Sequence, residues 1–383
     1  MESQAVATIE THFDSVEDPR LERKTDYPLI NILVITICGT LCGADNWVAI
    51  ENFGKAQFEW LSQFLDLEKG IPAHDTFGRV FALLDPEQFC GAFVNWMQAV
   101  AGVTAGELVA LDGKQLRGSH DGYLGKQAIW MVSAWAERNG LVLGQRKVDE
   151  KSNEITAIPQ LLEMLALSGC IVTIDAMGCQ TEIAAQIIDQ EADYVLSLKG
   201  NQGQLHEDVA EMFAYFEKID FAGINHDYCR TVDNDHGRLE IRQCWSFDPH
   251  QWAEYFRTLP NWKGLQSVAM VHATRQVGEK VEEEVRFFIS SLTSDARQLL
   301  WAVRRHWGIE NELHWLLDVA FREDHSRVRQ GFASENLAVI RQLVLNLLKQ
   351  EKTAKCGIQN KRLCCAWDID YRMKVLQGLT SLC

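Results

Sequence analysis

"CIVTIDAMGCQT", residues Cys170 to Thr181, decides how this chain is read. A run of apolar and β-favouring residues ends at Asp175, with only small residues and a glycine close behind. A buried strand that stops in a carboxylate is ordinary once. The same shape returns in "ELVALDGKQLRGS" (Glu107 to Ser119), where Leu108-Val109-Ala110-Leu111 runs into Asp112-Gly113. Either aspartate alone is accounted for by a turn cap, its oxygens accepting backbone N–H bonds. The pair raises a second reading. If both strands are central and adjacent, the carboxylates meet at one sheet edge and repel, so one stays protonated unless a cation sits between them. A divalent metal removes that repulsion and makes the pair a hard oxygen site suited to Mg²⁺.

Working outward from these strands, the segment order is that of a mixed α/β sheet. "AIWMVSAWAERNGLVLGQRKV" reads as a hairpin turning at Arg138-Asn139-Gly140. "PQLLEMLALSG" reads as a helix with Pro159 in its first turn, the one place proline is tolerated, and Gly169 as its cap. After Asp175 come a helix, "TEIAAQIIDQEA", and a strand, "DYVLSLKGNQ". No G-x-G-x-x-G follows the first strand, which excludes a dinucleotide-binding fold. Upstream, residues 28–100 carry apolar positions at helical spacing, and "AGVTAG" (Ala101 to Gly106) is the natural boundary. From about 203 to 292, "RTVDNDHGRLEIRQCWSF", "SVAMVHATRQV" and "VEEEVRFFISSL" read as β-strands of an insertion. In the first, Arg238, Glu240 and Arg242 share one face. A long helix then opens at a Ser294-Asp295 cap and runs through "ARQLLWAVRRHWGIENELHWLLD".

Bulk properties narrow the class. A length of 383 residues predicts two or three structural units, and 47% hydrophobic with 23% charged residues is a soluble globular profile. The longest apolar stretch, Leu29 to Ala44, falls short of the roughly 20 residues of a membrane span and reads as a buried helix. The first dozen residues are polar and acidic, unlike a secretory signal. Eleven cysteines without a C-x-x-C pair fit reduced thiols in a cytoplasm. A net charge of −16 excludes a protein that coats nucleic acid by bulk attraction, but leaves room for an enzyme gripping DNA over a limited patch. The sign reverses between Lys349 and Lys374, which reads either as a solvated helical end or as a phosphate-contacting arm.

A third acid would turn the aspartate pair into a metal centre, and the long helix offers Glu310. His306 lies four residues before it and His314 four after, on one face. Three in-line residues span roughly 12 Å of straight helix, too far for one ion. The pattern therefore reads as one carboxylate meeting a metal, with the imidazoles near phosphates or water. Trp307, Leu313 and Trp315 read as core or interface side chains. Asp318, Glu323 and Asp324 rank as weaker rivals because the helix should be ending there.

Taken together, "LVALDGKQLRGS", "DEKSNEITAIPQLL", "TIDAMGCQ", "LKGNQ", "HGRLEIR" and "RRHWGIENELHWLLDVAFRED" closely resemble the insertion-sequence transposases of the H-repeat-associated type. These belong to the DDE transposases with an RNase H-like fold, and the resemblance runs from about Leu29 to Ala338. It implies an RNase H-like mixed sheet with a catalytic helix, an all-β insertion and an N-terminal helical domain. In residues, this means a helical domain over 1–103, a catalytic domain over 104–350 with the insertion at about 203–292, and a basic tail over 351–383. It implies Asp112, Asp175 and Glu310 as the catalytic and metal-binding triad, holding two Mg²⁺ ions or Mn²⁺ in their place.

The implied chemistry is metal-dependent cleavage at the element's ends, then attack of the freed 3′-hydroxyl on target DNA. Implied partners are double-stranded DNA, as terminal inverted repeats and target, and a second copy of the chain. The implied location is a bacterial cytoplasm, at the nucleoid when acting, with no membrane. Lys199, Asn201 and Gln202 match the polar segment after the fifth strand. Arg238 and Arg242 would clamp phosphates or pair with Glu240. The wider group spaces tyrosine, arginine, glutamate and lysine where this chain has Val303, His306, Glu310 and Leu317. Only the glutamate matches, leaving Arg304, Arg305, His306 and His314 to take over the DNA contacts. "KSNEITAIPQLL" reads as a turn and helix start, with Asp149, Glu150 and Glu154 solvated. Two other classes remain: a regulatory DNA-binding derivative of a transposase, and a nuclease of the same fold that cuts without joining.

Overall fold

The computed structural model describes residues 2–21, 25–101, 105–123, 125–148, 154–235 and 237–378. Residues 102–104 of the expected boundary, Asp149 and Glu150, and His236 of the "HGRLEIR" turn lie outside these. Six helices come first: α1 (Glu2–Phe13), α2 (Leu29–Leu41), α3 (Trp47–Ala56), α4 (Phe58–Leu61), α5 (His74–Leu83) and α6 (Pro86–Ala101). The apolar stretch from Leu29 is α2, buried along Asn31–Leu41. No helix among the described residues is long and apolar enough to cross a membrane.

The central strands follow the alternation read from the sequence. β1 (Leu108–Leu116), β2 (Ile129–Ala136) and β3 (Leu141–Lys147) form an antiparallel meander, its second turn made at Gly140 with φ 62°. Then come α7 (Glu154–Glu163), β4 (Ile171–Ile174), α8 (Thr181–Asp189) and β5 (Asp193–Leu198), with β1, β4 and β5 parallel. Pro159 departs from expectation: α7 begins at Glu154, so the proline lies inside the helix rather than in its first turn.

The stretch expected as an insertion carries its strands and adds a leading helix, α9 (Gly203–Lys218). The strands are β6 (Asp227–Asp235), β7 (Arg238–Phe247), β8 (Ser267–Val277) and β9 (Lys280–Ser290). "RTVDNDHGRLEIRQCWSF" is thus a hairpin rather than one strand. Among the described residues the four strands do not stand apart. β9 pairs antiparallel with β5, giving one nine-stranded sheet in the order β3-β2-β1-β4-β5-β9-β8-β7-β6.

The expected long helix is interrupted. α10 (Ala296–His306) starts at Asp295, whose carboxylate accepts from the Gln298 N–H at 2.9 Å, the cap the sequence announced. A π-helical turn spans Ile309–His314, and α11 (Trp315–Phe321) follows. α12 (Ala333–Gln350) is buried over sixteen residues, polar ones included. Its Asn346 accepts from the Val142 N–H and donates to the Val142 carbonyl, both at 2.9 Å, closing groups that edge strand β3 would otherwise expose.

The residues expected as a basic tail fold as α13 (Ile358–Trp367) and α14 (Ile369–Gln377). Three of their cations point inward. Lys361 donates to the Leu348 and Glu351 carbonyls, Arg362 to those of Thr40 and Ala320, and Arg372 to that of Cys365. One contiguous apolar core runs from Ile9 to Leu376, through the N-terminal helices, the sheet and the last helices.

Candidate metal centre at the ends of the parallel strands

β1 and β4 pair in register up to Leu111 opposite Ile174. Asp112 and Asp175 each come one residue later, side by side. Asp175 follows the end of β4, whereas Asp112 lies mid-strand, because β1 runs on to Leu116 paired with β2 and only its parallel pairing stops there. Neighbouring strands are about 4.8 Å apart, and carboxyl ends of parallel strands are where α/β sheets present ligand sites. α10 lies over β1, β4 and β5, and the π-turn packs on β1. The turn brings Glu310 to Asp112: ligand atoms of Asp112, Glu310 and His314 all lie within 4.8 Å of one another. A cleft of about 210 Å³ opens there, lined by all three acids and by Thr173, Lys199, Arg286, His306 and Trp307 among others.

The electrostatics are those of carboxylates forced together. Burial, then the charges of Glu310 and Asp175, push the Asp112 carboxyl up to about 8. Glu310 goes the other way, held below its ordinary value first by the His314 imidazole. His314 is 4% exposed, with Nδ1 3.5 Å from Asp112 Oδ2 and 3.6 Å from Glu310 Oε2. Asp175 also fills the turn-capping role: its Oδ1 accepts from the Met177 N–H at 3.0 Å and the Gly178 N–H at 3.5 Å.

The other residues read from the sequence fall into three groups. Lys199 is exposed at the cleft. Asn201 is exposed and Gln202 half-buried, but both side-chain amides are engaged. Asn201 donates to the Ala176 carbonyl and Gln202 to the Cys179 carbonyl, each at 2.7 Å, so both brace the loop behind Asp175. His306 turns inward to Thr173 Oγ1 at 2.9 Å, and burial drives its pKa down to about 4, leaving a neutral imidazole on the cleft wall.

The arginines are tied to acids. Arg238 and Arg242 both pair with Glu240, Arg242 and Arg304 with Asp233, and Arg305 with Glu137. A groove of about 610 Å³ along this face shares Arg286, Val303 and Trp307 with the cleft and is lined further by Arg238, Arg242, Arg275 and Arg304. Trp307 and Trp315, expected in a core or interface, are 46% and 57% exposed. The rival acids are engaged elsewhere. Lys114 pairs with Asp318 at 2.5 Å and with buried Glu323 at 2.7 Å, while Asp324 meets Arg117 at 3.5 Å.

One residue at the cleft and one behind it escaped the sequence reading. Arg286 stands over the Trp307 ring, 5.1 Å from its centroid. Its place inside an alternating strand gave no sign that β9 would abut β5. Glu154, read as solvated, is half-buried: burial and then the Asp175 charge raise its carboxyl to about 7. Its carboxylate also lies so close over Gly113 that a β-carbon there would collide with it. A glycine directly after Asp112 was the available signal.

Comparisons with known proteins bear on the chain as a whole. The family described as "Transposase DDE domain" matches residues 104–347, and "DDE_Tnp_1-associated" matches residues 10–97. "Putative transposase YncI" of Escherichia coli O157:H7 is 40% identical over 381 residues, covering 99% of this chain and 96% of its own. "H repeat-associated putative transposase YhhI" of Escherichia coli K12 is 39% identical over 375 residues, covering 96% and 97%. Among solved structures, the piggyBac transposase synaptic complex with hairpin DNA aligns at TM-score 0.43 and 11% identity over 97% of this chain and 78% of its own, too loosely to carry weight.

Proposed function

We propose that this chain, which belongs to the transposase DDE domain family, is an active DNA transposase that uses Asp112, Asp175 and Glu310 to cut the ends of its element and join them to target DNA. The observation that carries the reading is the meeting of the three acids. Two arrive in register on adjacent parallel strands, and the third comes down from the π-turn into the same cleft.

The donor set suits divalent cations. Asp112 is half-buried beside two further carboxylates, whose charges, after burial, raise its carboxyl, a crowding that a cation would relieve. Asp112 would be the shared ligand, with Asp175 and Glu310 each completing one position. Two Mg²⁺ ions there, when bound, neutralise a phosphodiester and activate the attacking hydroxyl.

The chain's own groups do the rest. Asp175 keeps Oδ2 as a donor because Oδ1 is fixed by the turn. Asn201 and Gln202 hold that turn still, which preorganises the site. Lys199 places positive charge at the rim for DNA phosphates, Arg286 stands there paired with Glu284, and the groove of alternating arginines and glutamates continues the path along β7 to β9. The neutral His306, aligned by Thr173, adds a polar wall without adding charge.

The test uses purified full-length protein, Mg²⁺ and linear DNA carrying the element's terminal repeats, with products resolved on denaturing gels. Strand-transfer products support the proposal. Cleavage without joining makes the protein a nuclease, and binding without cleavage makes it a regulator. Cleavage that survives Asp112→Asn or Glu310→Gln removes the triad assignment.

A further inference from the structure

We infer that His314 is a metal ligand beside Asp112 and Glu310, making this position a mixed nitrogen–oxygen site that favours first-row transition ions over Mg²⁺. The inference rests on the reading of the cleft as a metal centre and adds to it a ligand that the acid triad lacks.

Three observations carry it. First, the ring sits in the protein with Nδ1 between two carboxylate oxygens, at 3.5 Å and 3.6 Å. Those separations are long for hydrogen bonds. They do match donors sharing one ion, because metal–ligand bonds of about 2.1 Å put neighbouring donors about 3.0–3.5 Å apart. Second, the ring is 4% exposed and its Nε2 is buried without a hydrogen-bond partner. Among the described residues its ion-pair neighbours are those two acids, so Nδ1 is directed at the carboxylate pair from beneath it.

Third, the backbone is reshaped to put it there. An unbroken α-helix would string His306, Glu310 and His314 along one face over roughly 12 Å. In the structure α10 ends at His306, which turns to Thr173. The π-turn then carries Glu310 and His314, its wider winding stacking residues four apart more nearly above one another, anchored by buried Ile309 and Leu313. Single π-turns inside helices cost regular hydrogen bonding and concentrate at functional sites.

The consequence is selectivity. Mg²⁺ demands oxygen ligands and gives up water reluctantly, whereas imidazole nitrogen is a better partner for first-row transition ions.

The test is direct metal binding to the full chain, with Mn²⁺ as the probe. Calorimetry gives affinities for Mn²⁺ and Mg²⁺, and pulsed electron paramagnetic resonance of bound Mn²⁺ reports any directly coordinated nitrogen. The expected result is a nitrogen coupling in the wild type and tighter binding of Mn²⁺ than of Mg²⁺. His314→Gln should remove the coupling and weaken Mn²⁺ by at least the ~10-fold that even an outer partner of a metal ligand is worth. His314→Asp, an all-oxygen variant, should keep binding, lack the coupling and narrow the Mn²⁺ to Mg²⁺ ratio. Mn²⁺ bound without nitrogen coupling, yet lost in Asp112→Asn, overturns the inference and leaves the acid triad standing. A coupling that survives His314→Gln overturns it in the same way. Mn²⁺ binding indifferent to Asp112→Asn and Glu310→Gln overturns the metal centre itself.

Discussion

Removing the charge of Asp112 should stabilise the metal-free protein at alkaline pH and abolish its response to metal. The buried carboxyl is raised to about 8 in the folded chain against an ordinary 3.8. Below about pH 4 both folded and unfolded states hold the proton and Asp112 has no effect. Between about 4 and 8 the unfolded chain releases the proton while the folded chain keeps it, so stability falls steadily as pH rises. Above about 8 the full penalty stands. Each unit is worth ~1.4 kcal/mol, so the whole displacement is on the order of 5 kcal/mol, shared in part with Glu310. For a chain this long ~1 kcal/mol moves the melting temperature by about 1 °C.

Asp112→Asn should therefore melt about 3–5 °C above wild type at pH 8.5 in a chelator, and level with it near pH 4. Glu154, raised to about 7, acts in the same direction and should leave a smaller residual slope in the variant. Saturating Mg²⁺ should raise the wild-type melting temperature at pH 8.5, because a ligand that binds only the folded state stabilises it, and should not move the variant. The assay is scanning calorimetry from pH 4 to 9, with and without metal. An Asp112→Asn protein with the wild-type pH slope in chelator would refute the reasoning, since Asp112 would then not be the acid carrying the uncompensated charge.

Other expectations follow from named contacts. Glu310→Gln should lower cleavage by more than about 100-fold while shifting the melting temperature by less than 2 °C, because the side chain is 50% exposed; a cooperative calorimetric melt separates lost chemistry from lost folding. Gly113→Ala should destabilise by about 1–3 kcal/mol through collision with Glu154, and Glu154→Ala should restore stability in the double variant, as chemical denaturation would record. Lys199→Ala should weaken DNA binding at all sequences and flatten its salt dependence by about one unit of slope, measured by fluorescence anisotropy. Asn201→Ala should leave DNA affinity unchanged and lower the cleavage rate, because the residue braces the loop behind Asp175; an equal loss in DNA affinity would count against that role.

What could be read in advance was what local chemistry dictates. The apolar runs into Asp112 and Asp175 mark two buried strands, although β1 runs past Asp112 to Leu116; the Asn139-Gly140 turn fixes a hairpin, and Asp295 fixes a helix start. Each is decided within a few residues. The features that stayed hidden are set by distant partners. A π-turn leaves no period of its own in "GIENELHW", so three residues read as in-line became one that turns away and two that converge. Glu154 reads as a solvated acid until Gly113 is known to lie beneath it. Arg362 and Arg372 read as a basic tail until their carbonyl partners on Thr40, Ala320 and Cys365 are seen. Charge in a sequence says nothing about which way a side chain faces.

That last point resolves how a chain of net charge −16 suits a nucleic-acid substrate. Part of its positive charge is withheld from solvent or paired. Lys361, Arg362, Arg372 and Arg341 are buried, and the groove arginines form a chain of pairs running Arg238–Glu240–Arg242–Asp233–Arg304. Pairing lowers the long-range attraction that would hold the protein to any duplex it meets. It leaves guanidinium groups that can exchange a carboxylate for a phosphate when DNA lies in the groove, since both anions accept the same fork of N–H donors. Half-exposed ion pairs are worth about 1 kcal/mol or less, so such an exchange costs little. At the cleft the balance is reversed: Asp112, Asp175 and Glu310, with Glu154 close to Asp175, concentrate negative charge where the proposed function requires a phosphate to enter. A phosphodiester brought there without cations would be repelled. On the proposed function, the groove would admit DNA by trading partners, and the acids would make metal a condition of bringing its backbone to Asp112 and Asp175.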